Sequence, residues 1–247
     1  MKEEELQKEA EREYKELQKK RAHHGLEKLD IESIRQADDT KRNPFSYLLV
    51  LILLLLIIMM VVPFYGIKLD PEPKNIPAYL DVLPGQLDKL AKSMPGFTSE
   101  SRSNYLKLLV PDNQEIRNMA ARISTKSCSQ SDVCYSKALY YFVRDNIQYL
   151  GDPRTGHLES PFETLYTKGA DCDGMSILLA NLELAVGIPV RFAFIPNHAY
   201  IQVKIDDASN KYKQQDGWIS LDPTCGNCEF GEVPYSTTNK EKEYLYT

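Results

Sequence analysis

Gly169-Ala170-Asp171-Cys172-Asp173-Gly174-Met175-Ser176 is the stretch around which the chain is organised. Gly169 is a turn signal, and Met175 to Val186 is a run of helix formers with apolar spacing. Asp171 reads as the N-cap and Gly187 as the stop just past the helix end. Cys172 then falls in the first helical turn, where unpaired N–H groups and the positive end of the dipole favour a negative sulfur. That placement predicts a lowered thiol pKa and a nucleophile. The bland alternative is a small buried hydrophobe, as most free cysteines are.

Downstream the period changes from helical to alternating. Val190 to Ile195, Ala199 to Ile205 and Trp218 to Leu221 are rich in β-branched and aromatic residues and read as strands. Asp206 to Gly217 is a polar connection between the last two. Upstream, Asp112 is positioned to cap a helix through Ile123, and Ser131 or Asp132 a longer one through Asn146. Pro161 to Tyr166 reads as a short turn of helix. Helices first and an antiparallel run of strands afterwards predict an α+β domain, helices packed on a sheet.

Further upstream, no charged residue occurs from Asn43 to Ile67, and the centre is nearly all Leu and Ile. At 1.5 Å per residue this span reaches roughly 37 Å, more than the ~30 Å hydrocarbon core of a bilayer. Phe45, Tyr47, Phe64 and Tyr65 sit where interfacial anchors belong. A cleaved signal peptide fits poorly, because the run is long, starts late and lacks a small-residue cleavage site. Lys28, Arg35, Lys41 and Arg42 before the span, against Lys68 and Lys74 after it, predict a cytoplasmic N-terminus and an extracytoplasmic C-terminal portion.

The predicted organisation is a charged helical tail over 1–42, a transmembrane helix over 43–67 and a Pro-rich spacer and lead-in over 68–109, punctuated by Pro71, Pro73, Pro77 and Pro84 and with a short helix read at Gln86 to Met94. A folded domain over 110–235 and a polar C-terminal tail over 236–247 complete it. Leu6, Ala10, Tyr14 and Leu17 give the N-terminal tail one thin apolar stripe. The stripe suits a solvated single helix better than a coiled coil, which leaves a homodimer through this helix as the lesser reading. His23 and His24 read as surface residues. The 247-residue chain carries a formal charge of -5 and has no basic footprint, so no nucleic-acid partner is expected.

A nucleophilic Cys needs a base, and the base needs an orienting group. In the C-terminal portion the histidines are His157, in a Gly/Pro-rich loop, and His198, which begins a strand. Asp222 ends the third strand. If those two strands pair, Asp222 lies beside His198 and can fix its tautomer.

Four segments together resemble the transglutaminase-like superfamily, a papain-like Cys-His-Asp fold. They are Gly169-Ala170-Asp171-Cys172, Gly187-Ile188-Pro189-Val190-Arg191, His198-Ala199-Tyr200, and Trp218 to Thr224 with its Leu221-Asp222-Pro223 core. The match covers roughly Val110 to Val233. It departs from the family at Tyr200, where Trp is usual, and by one extra residue between Gly169 and Cys172. The resemblance implies Cys172 as nucleophile, His198 as base and later acid, and Asp222 as orienter. The expected activity is thiol acyl transfer on peptide or amide bonds, with hydrolysis favoured over protein crosslinking. An inactive domain of the same fold serving as an envelope binding or assembly module is the reading from another class. No cofactor is expected, and no acidic calcium-loop pattern is present.

Five cysteines is an odd number. Besides Cys172 they form two close pairs in sequence, Cys128 with Cys134 and Cys225 with Cys228. Two disulfides, a zinc site of all four, and a redox pair are the competing readings. The inferred outside location favours disulfides, whose connectivity spacing alone does not fix.

Overall fold

The computed structural model describes residues 11–13, 15–16, 44–99, 101–151, 156–234 and 240–247. The predicted tail over 1–42, its dimer helix and His23 and His24 lie almost entirely outside them. The chain divides into two compact units, Met1–Val61 and Val62–Thr247.

Helix α1, Pro44–Leu69, contains the apolar run. Its stretch Phe45–Val62 has a mean hydropathy of 3.2, and none of that stretch is buried. By length and composition this helix is long and apolar enough to cross a membrane.

The second unit packs helices on a four-stranded antiparallel sheet. Helix α2 is Leu87–Ser93, α3 Gln114–Ser127, α4 Asp132–Asn146, α5 Pro161–Thr167 and α6 Cys172–Ala185. Strands β1 (Phe97–Thr98) and β3 (His157–Leu158) pair with each other, as do β2 (Gln148–Tyr149) and β4 (Gly169–Ala170). The main sheet has the order β7-β6-β5-β8, from Ile219–Leu221, His198–Val203, Val190–Ile195 and Glu243–Tyr246.

The local reasons are legible. Ile116, Met119, Ala120 and Ile123 line one stripe of α3 and are fully buried. Asn113, rather than Asp112, caps that helix by accepting from Glu115 N, so it starts one residue later than predicted and runs on to Ser127. Ser131 caps α4. Helix α6 is buried on every side from Gly174 to Glu183, which is why its sequence has little periodicity. Along β5 and β6 alternate residues serve two faces. Phe192, Phe194, Ala199, Ile201 and Val203 join the main core, whereas Ala193, Ile195 and Tyr200 form a smaller cluster on the opposite face.

Two expectations are corrected. The stretch read as a Pro-rich spacer is packed from Asp70 onward. Tyr79, Val82, Tyr105 and Leu108 are buried in the core, and the Tyr79 hydroxyl donates to the Leu165 carbonyl. Its prolines suit extended backbone, but extended backbone can lie along a surface as well as bridge a gap. The polar C-terminal tail ends in β8, which pairs along β5 with Glu243 opposite Phe194 and Leu245 opposite Phe192. Arg191, buried on β5, staples it there: its guanidinium lies 3.8 Å from the Tyr244 ring centre and 4.4 Å from that of Trp218. Its Nη1 also donates to the Tyr246 hydroxyl at 2.9 Å.

Candidate active site

Cys172 is the first residue of α6, as the sequence predicts. The Asp171 carboxylate caps the helix, accepting from Asp173 N at 2.8 Å and Gly174 N at 3.2 Å. Lys168 adopts the left-handed conformation at the end of α5 and turns the chain into β4. Gly174 lets that first turn sit tightly against its surroundings. A Cβ there would lie 2.7 Å from the Ala170 Cβ and 2.8 Å from a Glu159 carboxylate oxygen.

The thiol itself departs from expectation. Burial pushes the Cys172 pKa well up, and the Asp173 carboxylate pushes it further; the Ala199 backbone N–H opposes them. The thiol donates to Asp173 Oδ1 at 3.4 Å. The dipole argument holds for the backbone, but desolvation and an adjacent like charge outweigh it, so this environment favours the protonated thiol over the thiolate. Replacing Asp173 with Asn removes that like charge. Iodoacetamide labelling of Cys172 at pH 7.5, followed by peptide mass, should then be several-fold faster than in the parent; an unchanged rate would assign the shift to burial and Asp171.

His198 opens β6 after a two-residue connection, Pro196-Asn197, between the paired residues Ile195 and His198. Asn197 has φ 61°, the left-handed position that a tight turn needs and Asn tolerates. The register pairs Ile201 with Leu221, which puts Tyr200 across from Asp222 and His198 on the diagonal. His198 Nε2 and Asp222 Oδ2 are 2.8 Å apart. Asp222 is fully buried, and its other oxygen, Oδ1, accepts from the Thr224 hydroxyl at 2.7 Å and Thr224 N at 3.2 Å. Its backbone carbonyl accepts from Tyr140 and from Cys225 N.

Cys172 and His198 line one cleft of about 310 Å³, together with Arg102, Tyr105, Phe194 and Asn197. Ser176, one helical turn beyond Cys172, donates to the Ala199 carbonyl at 3.2 Å and so ties the nucleophile's helix to the histidine's strand. Arg102, Tyr105 and Ser176 were missed by the sequence reading. The first two come from the stretch read as spacer, and Ser176 looks like any small helix residue. His157 lies apart in β3, buried, with Nε2 3.3 Å from Glu163 Oε1.

The remaining cysteines are oxidised. Cys128–Cys134 joins the end of α3 to the first turn of α4, and Cys225–Cys228 closes the turn just after Asp222. Their sulfurs are bonded to one another, which removes the zinc reading at these four positions. Cys172 is the free thiol. Among the described residues, Asp171, Cys172 and Asp173 bring one ligand-type atom each within 4.8 Å of one another. Adjacency in one helical turn accounts for this: Asp171 caps, and Asp173 accepts from the thiol.

Residues 117–223 match the Transglutaminase-like superfamily. No curated protein matches the chain. Among solved structures it is similar to LapG of Legionella pneumophila, at 16% identity over 64% of this chain and 80% of that one, with a TM-score of 0.37. It is also similar to a structure from Cytophaga hutchinsonii described as a candidate cysteine protease, at 17% identity over 71% and 60% of the two chains, with a TM-score of 0.33. The second unit is thus a mixed α+β fold, helices packed on an antiparallel sheet, and its residues 117–223 carry the match to the transglutaminase-like superfamily.

Proposed function

We propose that this protein is a membrane-anchored thiol hydrolase acting on peptide or amide bonds, with Cys172 as nucleophile, His198 as base and acid, and Asp222 as orienter. The observation that carries the reading is the His198–Asp222 hydrogen bond at 2.8 Å within the cleft that holds Cys172. With Nε2–H donated to Asp222, Nδ1 is left unprotonated and available as the base. Because this environment favours the neutral thiol, His198 takes the proton as sulfur attacks the carbonyl, rather than in a standing ion pair. The tetrahedral oxyanion is held by backbone N–H groups at the start of α6, including that of Cys172. His198 then protonates the departing amine, the thioester forms, and water activated by His198 releases the acid.

The anchor is α1, with the N-terminus cytoplasmic and the folded unit, from about Asp70 to β8, on the other side. The flanking charges support this orientation. So do the two disulfides, which persist in oxidising spaces. A cleft open to solvent admits water as the second substrate, which favours hydrolysis over amine transfer.

The test uses the full chain in detergent, given a peptide library with and without a millimolar primary amine. The expected products are mainly acids. Intact mass should show an acyl adduct on Cys172, and Cys172→Ala should lose both turnover and adduct. Dominant amide product would make the protein a crosslinker with the same three residues. No turnover and no adduct would leave a binding module of this fold.

A further inference from the structure

We infer that the cleft selects a substrate carboxylate close to the bond attacked, and that Arg102 holds it. The inference rests on the hydrolase reading and names its substrate class. Arg102 is the one Arg or Lys among the described residues that line the cleft with Cys172 and His198. Its guanidinium stands 4.9 Å over the ring of Phe194, which lines the same cleft. The stacked, delocalised cation is held in place while its N–H fork stays available for a planar anion. Ser99 and Ser101 add hydroxyls to the same wall.

A carboxylate of the chain already takes one arm of that fork, Nη1. Glu243, on β8, pairs with Arg102. Its register partner is Phe194, so Glu243 sits on the same side of the sheet as that cleft-lining ring. The side chains are 45% and 73% exposed, so the pair is screened and worth at most about 1 kcal/mol. Such a pair is readily exchanged. A ligand carboxylate bound alongside a substrate that covers the cleft would meet the same cation with less water around it and bind more strongly. Glu243 is therefore a built-in competitor. The lining also carries Asp171 and Asp173, which repel an anion and leave Arg102 as the group to hold it.

The test takes internally quenched peptides identical except for Glu, Gln or Lys at one position, scanned along both sides of the scissile bond. A parallel set is truncated to end in a free carboxylate. The full chain in detergent should prefer Glu to Gln by about tenfold in kcat/KM at one subsite, the size of one good charge-assisted contact, with Lys worst. Arg102→Gln should bring the Glu/Gln ratio close to one. Glu243→Gln should raise it several-fold, because the competitor is gone. A merely structural Arg102–Glu243 pair predicts the opposite for Glu243→Gln: lower stability and an unchanged ratio. Preference for the truncated set would assign the carboxylate to a chain terminus; preference for internal Glu would assign it to a side chain. Fluorescence anisotropy of the same peptides on Cys172→Ala separates the two levels of inference. Glu-selective binding that Arg102→Gln abolishes keeps the carboxylate site even without turnover. Equal binding of Glu and Gln peptides overturns it even where turnover is robust.

Discussion

Asp222→Asn should lower kcat by about 10³- to 10⁴-fold while leaving the fold intact, the cost expected when an orienting carboxylate is neutralised and the wrong imidazole tautomer results. The reason lies in the other oxygen. Asp222 Oδ1 accepts from both Thr224 N and the Thr224 hydroxyl. An Asn at this position satisfies those two donors only with its carbonyl oxygen, which turns its NH₂ toward His198. That NH₂ donates to Nε2, the ring proton moves to Nδ1, and the nitrogen assigned to accept the thiol proton is already protonated. KM should change little, because Asp222 is fully buried behind the histidine. Thermal unfolding should shift by only a few degrees. Activity within tenfold of the parent would remove Asp222 from the orienting role and leave it as a buried anchor of the turn. Asp222→Glu is the informative partner, since it keeps the charge but displaces the oxygen.

Much of this site was legible in the sequence because its geometry is local. A capped helix start, a two-residue hairpin and a strand ending in Asp-Pro each place one side chain, and the strand register does the rest. The thiol's environment was not legible in the same way. The dipole at a helix start is a backbone property, readable from Asp171 and Gly187. Desolvation depends on what packs over Cys172, and that is supplied by distant segments such as Tyr105 and Ala199. The same distinction explains the misread 70–109 stretch. Pro71, Pro73, Pro77 and Pro84 mark extended backbone, but whether such backbone bridges a gap or lies on a core depends on its partners. The relevant clue was Lys137, a cation inside the otherwise apolar face of α4, which is buried and needs an anion from elsewhere.

That anion comes from the chain just past α1, and its removal is the stability prediction with the largest expected effect. Lys137 is fully buried and donates to Asp70 Oδ1 at 2.6 Å and to Glu72. Asp70 also accepts from the Tyr212 hydroxyl at 2.8 Å and pairs with Lys211. The Lys137 amine lies 5.0 Å from the Tyr212 ring centre and 5.8 Å from that of Phe230. Removing one partner of a fully buried pair costs roughly 3–5 kcal/mol, because the other charge is left uncompensated. Here Glu72 stays behind, and Asp70 is itself partly exposed, so Asp70→Ala should cost about 2 kcal/mol, a Tm fall of roughly 4–8 °C for a unit of this size. Lys137→Met should cost less, about 1 kcal/mol or below. It removes the buried charge, fills the volume against two aromatic rings, and leaves Asp70 with Lys211 and Tyr212.

The acid limb follows with the same sign. Burial alone would raise the Asp70 pKa, but hydrogen bonds from Lys137, Lys211 and Tyr212 outweigh it and hold the carboxylate below its usual value. A folded pKa below the unfolded one means its stabilisation is complete above about pH 5 and fades as pH falls through the unfolded and then the folded value. The Asp70→Ala deficit should therefore be full at pH 7 and shrink below pH 4, measured by denaturant unfolding of the full chain in detergent at each pH. Equal losses in Asp70→Ala and Lys137→Met at pH 7 would mean that the ion pair itself stabilises the unit, not merely that an orphaned charge destabilises it. A deficit that does not shrink in acid would assign the Asp70 effect to packing instead of charge.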